Sequence, residues 1–188
     1  MTSARNRRPA AYRTRAASLL GSTTLALLLA GCGDSERSAN PTAMSPTAPQ
    51  RTLGSGSKST LVGRGTFAEG FKVKRKSADW DVEVKAPNGL DVAVQSITFE
   101  PGGQSGWHRH PGPVFISVVS GTMTFYDSDD PTCTPIIRSA GQGFLDVGDH
   151  AHIARNESGS PAMNVVTYFA PPGALLRIDA PKPGNCPF

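Results

Sequence analysis

The sequence predicts an all-β domain, a sandwich or barrel, set behind an export signal and a flexible tether. Three observations carry this. Apolar and polar residues alternate at period two through much of the chain beyond residue 60, as in Val82 and Val84 or Val92 and Val94. Gly and Pro clusters punctuate that alternation at short intervals: Pro101-Gly102-Gly103, Pro111-Gly112-Pro113, Gly141-Gln142-Gly143 and Pro171-Pro172-Gly173. No stretch after the leader has the spacing of an amphipathic helix.

The N-terminus reads as a leader rather than as fold. Arg5, Arg7, Arg8, Arg13 and Arg15 stand in it without an acidic residue, and a short apolar run through Leu29 and Ala30 follows. A basic head, an apolar middle and a small-residue end describe a secretory signal over residues 1–31. The run is too short for a comfortable membrane span. Leu29-Ala30-Gly31-Cys32 resembles the lipobox of bacterial lipoproteins. That resemblance implies lipidation at Cys32, and an exported chain held to a membrane of the cell envelope. A plain signal peptide with an incidental Cys32 is the alternative.

Removing the leader changes the charge. Its five arginines, taken from a formal +4, leave −1 for the mature chain. The basic character belongs mostly to the leader, so no electrostatic footprint for nucleic acid remains. Residues 32–59 are rich in Ser, Thr, Pro and Gly, with little large apolar surface to offset chain entropy. They are expected to be a disordered tether. The barrel is expected over residues 60–175 and a tail over 176–188.

Within the domain, Phe71 and Val73, then Trp80, Val82 and Val84, open the strand series. Val92 and Val94 follow, then Ile97 and Phe99 after a shift of phase. Residues 114–119 and 122–126 flank Ser120-Gly121, a hairpin turn signal. Further strands are expected at 135–138, 144–147, 152–155 and 164–169. Of three cysteines, Cys133 and Cys186 remain after Cys32, an even pair in an exported protein. An oxidising compartment favours a disulfide between them, pinning the tail to the Asp130–Cys133 turn. Two free thiols, or a thiol pair on a metal, are the alternatives.

The chemistry concentrates in the four histidines, His108, His110, His150 and His152, which form two H-x-H pairs. On a strand, residues i and i+2 share a face, so His108 and His110 present two imidazoles together and a neighbouring strand can bring His152. Imidazole suits zinc, copper, iron and nickel. Trp107 and Arg109, of opposite parity, are expected to point away, as is Arg155. Val114, Ile116 and Val118 share the parity of His110 and are expected to line an apolar cavity, with Phe115 and Val119 packing on the other face. The strand phase leaves open whether Tyr126 reaches the cavity. Asp127-Ser128-Asp129-Asp130 lacks calcium-loop spacing and reads as a solvated turn. No G-x-S-x-G elbow, phosphate-binding loop or dinucleotide fingerprint occurs.

Gly102, His108-Arg109-His110, Pro111, Val118 and Gly121 together resemble the first motif of the cupin superfamily. Gly143 through Gly148, then His152 and Asn156 at H-x-x-x-N, resemble the second. The resemblance spans residues 90–172. It implies an antiparallel double-sheet, jelly-roll-like barrel with a metal held by His108, His110 and His152. Gly102, Gly121 and Gly148 would serve turns. It also admits a homodimer through the sheets.

Two departures stand out. The first motif's Glu ligand would fall at Val114, and neighbouring Phe115 is no substitute. The second motif's Pro is replaced by Val147. Three neutral imidazoles leave a divalent ion its full charge, which favours an anionic or chelating partner. His150 or Asp149 is the candidate for a fourth ligand, His150 if it lies on a strand with His152 rather than in a turn. The metal is Fe, Mn, Zn, Ni or Cu, and the reaction class, dioxygenation, isomerisation or decarboxylation, is left open. Two other readings stand beside a metal-dependent enzyme acting on a small anionic or oxygenated molecule. One is a non-catalytic small-ligand or metal-binding lipoprotein with a degenerate site. The other is a structural envelope protein.

Overall fold

The computed structural model describes residues 50–188. The leader, Cys32 and most of the expected tether lie outside the described residues. Among the described residues every regular element is a strand. In chain order these are β1 (Ser55–Phe67), β2 (Phe71–Ser77), β3 (Trp80–Ala86), β4 (Leu90–Gln104), β5 (His108–Arg109) and β6 (Val114–Ser120). Then come β7 (Thr122–Asp127), β8 (Ile136–Ser139), β9 (Gly143–Asp146), β10 (His152–Arg155), β11 (Ala162–Ala170) and β12 (Ile178–Asp179).

All strands but β2 and β3 join one antiparallel sheet in the order β12-β5-β10-β4-β11-β6-β9; β1 adds to β4, and β7 links β10 to β8. The result is the nearly closed antiparallel barrel expected of the fold class. β2 and β3 form a separate hairpin. Its Val73, Trp80 and Val82 are exposed, so its alternation does not mark a core face.

β1 begins at Ser55, ahead of the expected domain start near residue 60. Every residue of it is exposed, and Ser, Gly and Thr dominate it. Its order comes from the backbone ladder to β4, paired from Ser55↔Gln104 to Phe67↔Leu90. A pattern of buried side chains could not announce such a strand. One polar clamp fastens it: the Arg64 guanidinium bonds the carboxylate of Asp91, which lies buried at the start of β4.

The core follows the pleat. Along β6 the buried residues are Val114, Ile116 and Val118, while Phe115 and Val119 are about half exposed. On that outer face the Phe115 ring meets Phe169, with centroids 5.5 Å apart, and stays half exposed. Phase differs in β4, where Asp91 and Ala93 are buried and Val92 and Val94 are half-buried. Phe99, Met123 and Phe125 fill the interior, with Phe125 stacked on Phe144 at 4.3 Å. Burying a side chain of that size contributes roughly 2–3 kcal/mol.

A second cluster closes one end. Trp107, Tyr126 and Ile153 pack with Ala180 and Cys186. Cys133 and Cys186 are disulfide-bonded. The segment beyond residue 175 is thus integrated: β12 pairs β5, and Phe188 packs on Trp107 and Tyr126.

Candidate metal centre

Local backbone chemistry brings the two motifs together. β5 is only two residues long, yet it pairs with both β10 and β12, and His108 stands directly opposite His152. Gly148 makes the approach to β10 feasible. Its φ is +94°, and a Cβ there would lie 2.4 Å from Gly112 O, so only glycine fits the turn.

His108, His110 and His152 converge inside the barrel, all buried. Their ring centroids lie 4.8 Å (His108–His110), 4.5 Å (His108–His152) and 5.2 Å (His110–His152) apart. One nitrogen from each can be chosen so that all three fall within 4.8 Å of one another. The rings are oriented from behind. His108 Nδ1 lies 2.8 Å from Gly106 O and His110 Nδ1 lies 2.5 Å from Leu176 O. A carbonyl oxygen only accepts, so each Nδ1 carries the proton and donates, leaving Nε2 as a free lone pair. This arrangement orients metal-binding imidazoles, and the donor set fits a divalent transition metal.

The site also resists protonation. Burial, and after it the charges His152, Arg177 and His110 would carry, hold His108 well below the usual histidine range. Burial and His152 bring His110 to about 4, with Leu176 O and Asp146 opposing. His108 and His110 therefore stay neutral and ligand-competent in mildly acidic solution. Tyr168, whose ring edges His110 at 5.3 Å, is pushed up to about 12 by burial and stays a phenol, donating to Gln95 Oε1 at 2.9 Å. The rings face a cavity of about 30 Å³, bounded also by Ile97, Phe99 and Val166. That is room for an ion with a water or two.

His150 is elsewhere. It sits in the turn before β10, partly exposed, with Nε2 2.8 Å from Asp127 Oδ2 and Nδ1 2.7 Å from Asp149 Oδ1. Burial works against its charged form, but Asp127, Asp149 and Asp146 outweigh it and raise its pKa. The turn residues Asp149 and His150 break the strand alternation that would have turned His150 inward with His152. Asp127, Asp129 and His150 form a second cluster of ligand-type atoms at the surface. Its geometry is accounted for by its own contacts, including Asp127 Oδ1 accepting from Asp129 N–H at 2.9 Å. Arg109 is exposed, and Arg155 bonds Glu157. Tyr126 turns away from the cavity and donates to Glu157. Trp107 faces the second cluster, away from the histidines. Of the three residues expected to line the cavity, Ile116 does so, while Val114 and Val118 pack in the core around it.

Asp146 is the residue that pattern reading undervalued. It is 2 % exposed, the last residue of β9, and its Oδ2 lies 3.2 Å from His152 Nδ1 and 3.8 Å from His110 Nε2. Gly148 N–H donates to its other oxygen at 3.0 Å. Contact with His152 leads the influences that hold its carboxyl below the usual range against the opposing effect of burial. The available signal was a lone charge inside the apolar run Phe144-Leu145-Asp146-Val147.

An antiparallel barrel with imidazoles gathered inside defines a class, and one family model agrees with it. Residues 95–168 match the family model for the Cupin domain. No curated protein sequence matches the chain. Among solved structures, the chain is similar to an uncharacterized conserved protein with a double-stranded β-helix domain from Klebsiella pneumoniae. Identity is 19 %, the TM-score 0.42, and coverage 61 % of this chain and 86 % of that one. It is also similar to the cupin domain of an XRE family transcriptional regulator from Enterobacter cloacae, at 24 % identity and TM-score 0.36, covering 43 % and 82 %. A third likeness is to the oxalate decarboxylase of Bacillus subtilis, which has Mn(II) centres, at 18 % identity and TM-score 0.42, covering 47 % and 23 %.

Proposed function

We propose that this chain is an exported cupin, tethered to an envelope membrane by a lipid on Cys32. In this reading its His108, His110 and His152 hold one divalent transition metal, and a small anionic or oxygenated molecule binds there. The observation that supports it is that two imidazoles donate Nδ1–H to backbone carbonyls, which leaves Nε2 free, while ligand nitrogens of all three rings gather within 4.8 Å of one another. Histidines buried merely for packing have no reason to converge their lone pairs. A bound ion of this kind supplies Lewis acidity or, if redox-active, oxygen chemistry. The protein's own residues hold His108 and His110 neutral, exclude bulk water and restrict access.

The small cavity favours a second reading. About 30 Å³ admits no multi-atom substrate beside an ion unless side chains shift. A binding protein that captures the metal itself needs no such shift.

The test is elemental analysis of the protein purified without chelators from an exporting host, beside His108→Ala/His110→Ala. About one transition-metal ion per wild-type chain and none in a folded variant supports the centre. Equal metal content in both overturns it. Membrane fractionation of Cys32→Ser tests the anchor: release into the soluble fraction is expected, and unchanged membrane association rejects it.

A further inference from the structure

We propose that Asp146 is a fourth metal ligand, its Oδ2 supplying from β9 the carboxylate that β6 lacks at Val114; this rests on the metal reading above. Three independent observations carry it.

The first is register. Val114 on β6 pairs directly with Asp146 on β9. Residues opposite one another in an antiparallel ladder project to the same face, with Cβ atoms roughly 4.5–5.5 Å apart. A carboxylate moved across this one pair stays at the same place in the barrel wall. Both residues are buried, at 1 % and 2 % exposure.

The second is an unpaired oxygen. Asp146 Oδ2 has no hydrogen-bond partner, and neither has His152 Nδ1. The two atoms are 3.2 Å apart but off the line a hydrogen bond requires. Leaving both buried and unmatched is unfavourable unless something between them completes the set. Asp146 Oδ1, by contrast, is anchored by Gly148 N–H, so the carboxylate is fixed with its free oxygen toward the histidines.

The third is spacing. Donors bound at about 2.1 Å to one divalent ion stand roughly 3–3.5 Å apart. Oδ2 lies 3.2 Å from a nitrogen of His152 and 3.8 Å from the free Nε2 of His110. These two separations suit neighbouring ligands; the three imidazoles group within 4.8 Å of one another without Asp146, so ligation draws its carboxylate in toward the ion. A carboxylate cancels one unit of the ion's charge, so the centre is less electrophilic than three imidazoles alone would make it.

The experiment titrates Co²⁺ into the chelator-stripped full-length protein in detergent, reading affinity and the visible absorption of the bound ion. Three proteins are compared: wild type, Asp146→Asn, and the exchange Val114→Glu/Asp146→Val. Asp146→Asn is expected to weaken Co²⁺ binding by tenfold or more and to change the absorption envelope, because a coordinating oxygen is lost. The exchange restores affinity to within a few-fold, which no packing role of Asp146 predicts. Unchanged affinity in Asp146→Asn overturns the assignment. So does weakened affinity with the wild-type spectrum, which would make Asp146 a positioning residue acting through His152. Should Asp146→Asn fail to fold, the exchange variant decides alone, and loss of Co²⁺ binding in a folded exchange protein counts against the assignment. A wild-type chain that takes up no Co²⁺, Zn²⁺ or Mn²⁺ overturns the metal reading itself.

Discussion

His108 and His152 stand opposite each other across β5 and β10, with ring centroids 4.5 Å apart. Forty-odd residues separate them in sequence, and the pairing of β5 with β10 is what joins them. The site is therefore a property of the closed fold, and its titration is coupled to stability.

That coupling has a sign. His110 titrates near 4 when folded and near its ordinary value of 6.5 when unfolded, because burial disfavours its charged form. Between those values the unfolded chain binds more protons, so the stability contribution is complete above pH 6.5 and lost as pH falls toward 4. The metal-free protein is expected to lose on the order of 3 kcal/mol between pH 7 and 4 from this group. Urea melts of the chelated protein across that range check it. In His110→Gln the pH dependence should be shallower; an identical slope would assign the acid sensitivity to other groups.

The Cys133–Cys186 bond closes a segment with a sequence separation of 53. A loop of that length restricts the unfolded chain by about 4 kcal/mol. Cys133→Ser/Cys186→Ser is expected to lower the urea midpoint accordingly and leave the slope of the transition nearly unchanged. Thiol titration of the denatured, lipid-free chain should find neither of these cysteines free.

Phe188 is held against the second core cluster. Its ring stacks on Trp107 at 6.4 Å and 11°, meets Tyr126 edge-on at 4.8 Å, and lies 4.1 Å beneath the Arg155 guanidinium. Phe188→Ala should cost about 2 kcal/mol, combining aromatic contact and lost apolar burial. Trp107 is buried and the chain's other tryptophan, Trp80, is exposed. The buried component of the tryptophan emission should shift to the red in the variant, and an unchanged spectrum would mean that Phe188 does not shield Trp107.

How much of this the sequence revealed varies from residue to residue, for physical reasons. β6 was legible because Val114, Ile116 and Val118 alternate with outward residues, and period two is set by the pleat. The approach of His108 to His152 was legible only through the resemblance to two motifs, since cross-strand register has no local signal. β1 was illegible because a wholly exposed strand needs no alternation of buried apolar residues, and its Leu61, Val62 and Phe67 follow none. His150 and His152 look alike on paper, and only the turn after Gly148 separates them, placing one among surface carboxylates and the other in the core. Asp146 stands out in sequence as one of two carboxylates in the motif strands, but its role was illegible for a related reason: its meaning depends on Val114, its partner across β6 and β9.

Asn156 gives the last test. It is wholly buried four residues beyond His152, and its side chain organises the turn that follows β10. Its Nδ2 donates to Phe99 O at 3.1 Å, Glu100 O at 3.2 Å and Ser160 O at 2.8 Å. Its Oδ1 accepts from Ser158 N–H at 3.1 Å and from Ser158 Oγ–H at 2.7 Å. Only an amide can do both. Asn156→Asp keeps the shape but turns the donors into acceptors facing carbonyl oxygens, with a charge added. Asn156→Ala leaves those carbonyls and the Ser158 donors unmatched in a buried setting. Each change is expected to cost about 3 kcal/mol or more. Asn156→Asp should recover part of its loss at low pH, where the added carboxyl is protonated and can donate once. Thermal melts at pH 7 and pH 5 separate the two variants. Equal losses for both at both pH values would mean that neither the retained acceptor nor the protonated carboxyl restores anything, and would overturn this account of Asn156.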